Sequence, residues 1–500
     1  MPPKKHHDTT RMRRWILLAL APVFLLLAAV IFNTVSKESR QLQVNPIAPL
    51  RIDENAAAAR LAAAVRMRTV SNDLAPDQNA EEFRKLHEHL QHSYPHAHSV
   101  LKREIIAGYS LLYTWQGTDP NALPVMLMAH QDVVPIAPDT ERDWQVEPFS
   151  GEVKDGFIWG RGAWDDKGNL FSIMEAVETL AAQGFRPKRT IYLSFGHDEE
   201  ARGERGAKAI AALLKARGVR LDYILDEGLV ITQGLTKGLD KPLALIGIAE
   251  KGYTTVLLNL SAKPGHSSMP PDKTAIGMMS AALARIENKQ MPAGIRGAAH
   301  EMFDTLAPEM SGIQRVLLSN LWLFKPLVQH ELEKKASTNA MIRTTTALTI
   351  VHAGNKENVL PGVASAAVNF RLLQGDSIAD IVTHVKQAIV NDDIKLQTVP
   401  ESSEPSRLSK TEAPAYKAIH RTVRQIFPET VVAPGLMIGA TDARYFEAIS
   451  NNIYRFSPIR AMPEDLARFH GTNERVSVKN YAEMIRFYHQ LLMNSAAPSS

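Results

Sequence analysis

From about residue 124 the hydrophobic pattern switches between short continuous apolar runs and apolar positions spaced as one face of a helix. "PVMLMAHQD" reads as a short buried strand, and "GNLFSIMEAVETLAAQGF" puts Leu170, Ile173, Val177 and Leu180 on one helical face. "RTIYLSFGHDEE" predicts a second strand, "GAKAIAALLKARGV" a helix and "LDYILDEG" a third strand. Alternation of this kind predicts an α/β fold with a mostly parallel sheet and helices on its faces. Ahead of it, "DENAAAARLAAAVRMRTV" predicts an alanine-rich helix capped by Asp53 or Asn55. After Glu250 the texture changes. "YTTVLLNLSAK", "TALTIVHAG" and "ASAAVNFRLL" read as antiparallel strands with helical runs between them, and beyond the last of these the helix and strand alternation returns. The expected division is a catalytic domain in two parts, 51–252 and 372–495, interrupted by an inserted α+β lid or dimerisation domain at 253–371.

One segment stands apart. "WILLALAPVFLLLAAVIF", residues 15–32, carries no charge and is preceded by Lys4, Lys5, Arg11, Arg13 and Arg14. Its length and flanking charges predict a transmembrane signal anchor with residues 1–14 as a cytoplasmic tail, 33–50 as a linker and the catalytic domain on the extracytoplasmic side, or a secreted chain where the segment is cleaved. Five hundred residues exceed a single core, in keeping with two domains. The net charge of +4 is small for that length and partly confined to the first fourteen residues, so nucleic acid is not an expected partner. There is no cysteine, which excludes disulfides, thiolate metal sites and cysteine nucleophiles. Any metal must be held by His, Asp and Glu.

Ionisable residues gather where the predicted strands end, the edge at which parallel sheets bind ligands. His130 and Asp132 close the first strand, His197 to Glu200 the second, Asp226 and Glu227 the third, and "GRGAWDDKG" supplies Asp165 and Asp166 before a helix. Each motif has an ordinary alternative: a local hydrogen bond for the histidine and aspartate, a solvated helix start for "DEE", an anion-binding turn for "GRG", a helix cap for "LDEG". Together they crowd carboxylates that repel one another, a conflict a divalent cation resolves. Histidine with carboxylates and no sulfur suits zinc, manganese or cobalt.

"HQDVVP", "GRGAWDDKG", "GHDEE", "LDEG", "GHSSMP", "NVLPGVASAAVNFR" and "FHGTNE" follow one another in the order found in the dizinc metallopeptidase family of aminoacylase-1, carboxypeptidase S and glutamate carboxypeptidase. The chain resembles that family from about residue 50 to 495, and "SNLWLFKPLV", "NAMIRTTTALTI" and "IYRFSPI" resemble its branch of carboxypeptidase S and the N-fatty-acyl-amino-acid synthase/hydrolases. The resemblance implies two Zn2+ per subunit, held by His130, Asp165, Glu200, Asp226 and His470, with Asp165 bridging. It implies that Asp132 orients His130, that Glu199 is the general base, and that His266 reaches in from the inserted domain, often that of a neighbouring subunit in a homodimer. Family members use either acid at the third strand, and Asp226 is preferred here over Glu227. Asn358 and Arg371 match positions near the substrate's carboxylate or carbonyl, while Thr441, Asp442 and Arg444 lie near the same pocket as either contacts or supports. The implied reaction is hydrolysis of an amide beside a free carboxylate, in N-acyl amino acids or at a peptide C-terminus, reversible with fatty-acyl amino acids. An aminopeptidase or dipeptidase, and an inactive membrane-tethered binding protein, are the alternatives. The apolar run from Val316 to Val328 suggests a groove for an acyl or hydrophobic side chain, or a dimer surface.

Overall fold

The structure is a computed structural model that describes residues 9–496, with side chains for Trp15 and from residue 20 onward. In chain order the strands used below are β1 (Lys102–Ile106), β2 (Ser110–Trp115), β3 (Val125–His130), β4 (Ile191–Gly196), β5 (Tyr223–Thr232), β6 (Leu243–Glu250), β7 (Gly252–Ser261), β8 (Thr345–Ala353), β9 (Val363–Leu372), β10 (Ile394–Thr398), β11 (Val431–Met437) and β12 (Ile453–Ala461). The helices are α1 (Thr9–Ser36), α2 (Glu54–Val65), α3 (Lys167–Ala182), α4 (Ala207–Ala216), α5 (Gly312–Ser319), α6 (Leu321–Glu333) and α7 (Val478–Ala496).

The principal sheet runs β1-β2-β4-β3-β5-β12-β6-β11. Its centre, β4-β3-β5-β12, is parallel, and β2 and β6 enter it antiparallel. The continuous apolar run of β3 follows from burial on both faces. Leu127 and Ala129 pack with α2, α3 and α7 on one side, while Met126 and Met128 pack with α4 on the other. Each buried Leu or Met here contributes about 1.5–3 kcal/mol through burial. Helix α2 starts where the cap residue predicts, with Asp53 Oδ1 accepting from Ala56 N at 3.0 Å. Register sets the site: His130 pairs with Gly196 and Asp226 with Arg455, so the loops after β3 and β4 and the acids of β5 share one edge.

The second sheet, β8-β9-β7-β10, is wholly antiparallel and has its own core. It takes in β10 and the helix Ile378–Ile389, both beyond residue 371. Helices α5 and α6 belong elsewhere. Leu318 and Val328 are buried with Leu239, Leu243, Val431 and Ala433, on the flank of the principal sheet. Of the apolar run expected to form a groove or a dimer surface, Leu318 and Val328 are buried in this satellite core, while Trp322 and Leu327 are exposed.

The N-terminal helix is present, but among the described residues no helix is long and apolar enough to cross a membrane. The transmembrane expectation at 15–32 is therefore unsupported, and residues 1–8 with the side chains of 9–14 and 16–19 lie outside the described set. The last turns of α1 are tied to the protein body: Asn320 Nδ2 donates to Val30 O and Thr34 Oγ1, and Lys37 pairs with Asp304.

Candidate metal centre and catalytic cleft

His130 ends β3, and its Nδ1 lies 3.0 Å from the backbone oxygen of Asp132 and 3.4 Å from that residue's carboxylate. Donation from Nδ1 leaves Nε2 as an acceptor, yet Nε2 lies 2.9 Å from Asp165 Oδ1. The second oxygen of Asp165 lies 2.8 Å from His470 Nε2, which is also 3.2 Å from Glu200 Oε1. Two imidazoles from opposite ends of the chain thus converge on the two oxygens of one carboxylate, a bridging geometry. Three overlapping donor groups result: His130 with Asp165 and Glu227, Asp165 with Glu200 and His470, and His130 with Glu199 and Glu200.

Four of the five expected ligands fall within these donor groups, which also include Glu227. Asp226 is the exception. Its Oδ1 accepts from Glu227 N at 2.9 Å and its Oδ2 from Ala443 N at 2.9 Å, so both oxygens are turned into the backbone. Successive side chains of a strand point to opposite faces, and the face beside His130 and Asp165 carries Glu227.

The loops that hold these groups are fastened by carboxylates of their own. Asp132 accepts from Glu199 N, Glu200 N and Ser71 Oγ, so it positions the turn that carries both glutamates as well as His130. Glu474, buried and the last of the six letters in "FHGTNE", whose second is His470, accepts at Oε1 from the backbone N–H groups of Gly162, Trp164 and Asp165 and at Oε2 from Arg161. Arg161 also donates to His470 O and Gly471 O. Motif spacing held the signal for this pair, but an acid distant in sequence has no visible partner until the chain is folded.

Electrostatics follow from burial. Burial and the nearby acids hold Glu199 and Glu227 well above the usual carboxylate range, and Glu200 above it. Asp165 goes the other way: burial alone would raise it, but the hydrogen bonds from His130 and His470 outweigh that and hold it low. His470 rises to about 10 although burial opposes it, because Asp165 and Glu200 face it. Protons are here substituting for cations among crowded carboxylates. The donor set fits divalent ions.

Glu199 and Glu200 line a cleft of about 710 Å³ together with Glu250, Tyr253, Arg371 and Arg444. Arg371 lies over the Tyr253 ring at 4.9 Å from its centroid, and Arg444 over Tyr445 at 4.7 Å. Thr441 supports rather than lines the cleft, since its Oγ1 donates to Glu250 Oε2, the partner of buried Arg455. His266 and Asn358 lie on an exposed two-stranded ribbon, Gly265–His266 with Val359–Leu360. The His266 ring meets Ser268, with Nδ1 2.8 Å from its Oγ, and His266 belongs to none of the three donor groups.

A mixed α/β sheet with acids and imidazoles converging at the edge of its parallel strands, beside a cleft lined by arginines, defines an α/β metallohydrolase. The chain belongs to peptidase family M20/M25/M40, whose description matches residues 126–494. It is 40% identical over 480 residues to the probable carboxypeptidase S-like 2 of Dictyostelium discoideum, covering 94% of this chain and 92% of that one. It is 41% identical over 439 residues to the N-fatty-acyl-amino acid synthase/hydrolase PM20D1 of Xenopus tropicalis, covering 87% and 85%. The fold matches the M20 family metallo-carboxypeptidase Sso-CP2 of Sulfolobus solfataricus with a TM-score of 0.62 at 18% identity, over 88% of this chain and 99% of that one. The protein is accordingly a metallopeptidase-family amidohydrolase, and its donor set fits the family's pair of zinc ions.

Proposed function

We propose that the protein hydrolyses the amide bond of N-acyl amino acids, or of C-terminal residues, beside a free carboxylate. One observation carries this reading: Glu199 and Arg371 line the same cleft, with the metal-donor groups at Glu199's end of it. His130, Asp165 and Glu227 would hold one zinc, and Asp165, Glu200 and His470 the other. Such a pair, when bound, polarises the scissile carbonyl and makes water available as a nucleophile near neutral pH.

The chain's own residues supply the rest. Glu199, held high by burial and by neighbouring acids, accepts the proton of the attacking water and returns it to the leaving nitrogen. Arg371 lies over the Tyr253 ring, and among the described residues no hydrogen bond or ion pair takes up its guanidinium, leaving its fork for the substrate carboxylate. His266 and Asn358, exposed on their ribbon, suit contact with the cleft of a neighbouring subunit, where His266 would steady the tetrahedral oxyanion.

Two comparisons test the reading. With zinc present, N-acyl amino acids should be cleaved and their methyl esters should not; equal rates on both would favour the aminopeptidase alternative. Glu199→Gln should keep fold and metal while losing activity by about 10²–10⁴ or more. Wild-type turnover in that variant removes Glu199 from the mechanism.

A further inference from the structure

The two sheets are joined through a single residue. β6 of the principal sheet ends at Glu250 and β7 of the second sheet begins at Gly252, leaving Lys251 as the link. Its backbone N–H donates to Met437 O at the end of β11, and the residue is only 2% exposed. The ammonium donates to Ala340 O at 3.0 Å and to Arg343 O at 2.8 Å, where the helix Ala336–Ile342 runs into β8. Among the described residues no carboxylate pairs with it. Glu250, its neighbour in sequence, is taken by Arg455 and Thr441. Asp376, the acid whose charge favours the ammonium, is taken by Arg296 and Thr344.

A buried lysine on the carbonyls of a helix end has an ordinary role, a tether that keeps β8 in place. What sets Lys251 apart is its neighbour. Tyr253, two residues on, is the cross-strand partner of Arg371, and Arg371 pairs in turn with Thr345 at the start of β8. Lys251 and the Arg343 carbonyl it binds therefore lie just beyond the row that carries Arg371. Burial, and after it the Arg371 charge, holds the Lys251 ammonium down at about 7. Burial also holds the Arg371 guanidinium below its usual value; Tyr253 opposes this and Arg444 adds to it, and no carboxylate is among these charges. Lys251 thus stands behind Arg371, with Arg444 in the cleft alongside. Like charges set close together in a buried site repel, and a carboxylate arriving at Arg371 offsets that repulsion.

Resting on the hydrolase reading above, in which Arg371 takes the substrate carboxylate, we infer that Lys251 is a positioning residue for that contact, a positive charge outside the cleft that acts through Arg371 and strengthens binding of the free carboxylate. Its repulsion keeps the Arg371 fork turned to the cleft, and its charge adds to the potential that the carboxylate meets there. The coupling is reciprocal, so a carboxylate bound at Arg371 favours the charged form of Lys251 in turn.

The test compares kcat and KM on N-acetylphenylalanine for the zinc-loaded wild type, Lys251→Gln, Arg371→Ala and the double variant. Lys251→Gln keeps an N–H donor for the two carbonyls and loses the charge. It should raise KM about tenfold and leave kcat within about twofold. In the Arg371→Ala background the same change should move KM by less than about twofold, because the route through Arg371 is gone, whereas a mere tether would cost the same in both backgrounds. Lys251→Met, similar in length and uncharged, carries the same expectation where thermal unfolding shows that Lys251→Gln has not folded. An unchanged KM in a folded Lys251 variant, or an equal rise with and without Arg371, overturns the inference and leaves the hydrolase reading standing. Equal rates on N-acetylphenylalanine and its methyl ester, or cleavage of neither, overturn that reading instead. Lys251 is then judged by calorimetric binding of N-acetylphenylalanine: a loss of affinity in Lys251→Gln that vanishes in the Arg371→Ala background supports the inference, and equal affinity overturns it.

Discussion

Glu474 is the side chain whose removal tests most directly how the metal site is held. Its Oε2 pairs with buried Arg161 at 2.5 Å, and its Oε1 takes three backbone N–H groups at 2.9, 3.0 and 3.1 Å. Glu474→Ala leaves the Arg161 guanidinium buried without its counter-ion, a loss of about 3–5 kcal/mol, and orphans three donors besides. Glu474→Gln can keep its carbonyl oxygen toward the three N–H groups, but it then presents an NH2 to Arg161, so it should lose about 3 kcal/mol from the pair alone. Because Arg161 also holds the carbonyls of His470 and Gly471, both ends of the bridge at Asp165 loosen together. Zinc affinity should fall by about 10–100-fold, the usual consequence of removing a partner behind a ligand. Guanidinium unfolding of the zinc-loaded protein and zinc content after dialysis against a buffered ion read the two effects separately. Arg161→Ala combined with Glu474→Ala should cost well under the sum of the singles, since each removes the same pair. Wild-type unfolding energy and full zinc content in Glu474→Ala would refute the reasoning.

Three further outcomes are expected. Glu227→Gln should lose one zinc and nearly all activity, whereas Asp226→Asn should retain both ions and lose stability through its bond with Ala443 N; metal analysis of the two proteins checks this, and the reverse pattern restores Asp226 as the ligand. Removing zinc with a chelator should lower the unfolding temperature, with about 4 kcal/mol lost per site for ion present at a thousandfold its dissociation constant, and re-addition should restore it. Burial holds His420 down at about 4, with Arg424 adding to the effect. Below pH 6.5 the unfolded chain binds a proton that the folded chain refuses until about pH 4, so stability falls as pH drops through that window by up to about 3 kcal/mol. His420→Asn should flatten that fall in denaturant midpoints measured between pH 7 and 4.5.

The strands that carry the site were legible because their signal is local. Continuous apolar runs closed by charge located β3 and β4, which end at His130 and Gly196. The third was foreshortened. "LDEG" reads as a strand end because two acids stop the apolar run, yet β5 continues through Asp226 and Glu227 to Thr232. What lets acids sit inside that strand is tertiary: Ala443 N, more than two hundred residues on, satisfies Asp226, while Glu227 faces His130 and Asp165. The choice between the two acids is a question of strand parity. Neighbouring strand residues face opposite ways, but only the folded strand, which pairs Asp226 with Arg455 and shifts register just beyond it, fixes which acid meets His130 and Asp165.

The apolar stretches show the same limit at larger scale. The run from Val316 to Val328 has the composition of a ligand groove and of a core alike, and burial of Leu318 and Val328 against β6 and β11 decides for core. The small apolar cavity behind Trp164 has no such run. Phe157, Trp164, Ile231, Ile459, Met462 and Val476 come from four separate stretches, each polar or mixed around the residue that matters. They meet because the loop after β12 must fold back to bring His470 to Asp165. In doing so it sets Phe469 edge-on to Trp164 and stacked on His470, beside the cavity that Met462 and Trp164 line. A substitution that shifts this loop should therefore lower zinc affinity, whereas one at the far rim of the Arg371 cleft should leave it unchanged.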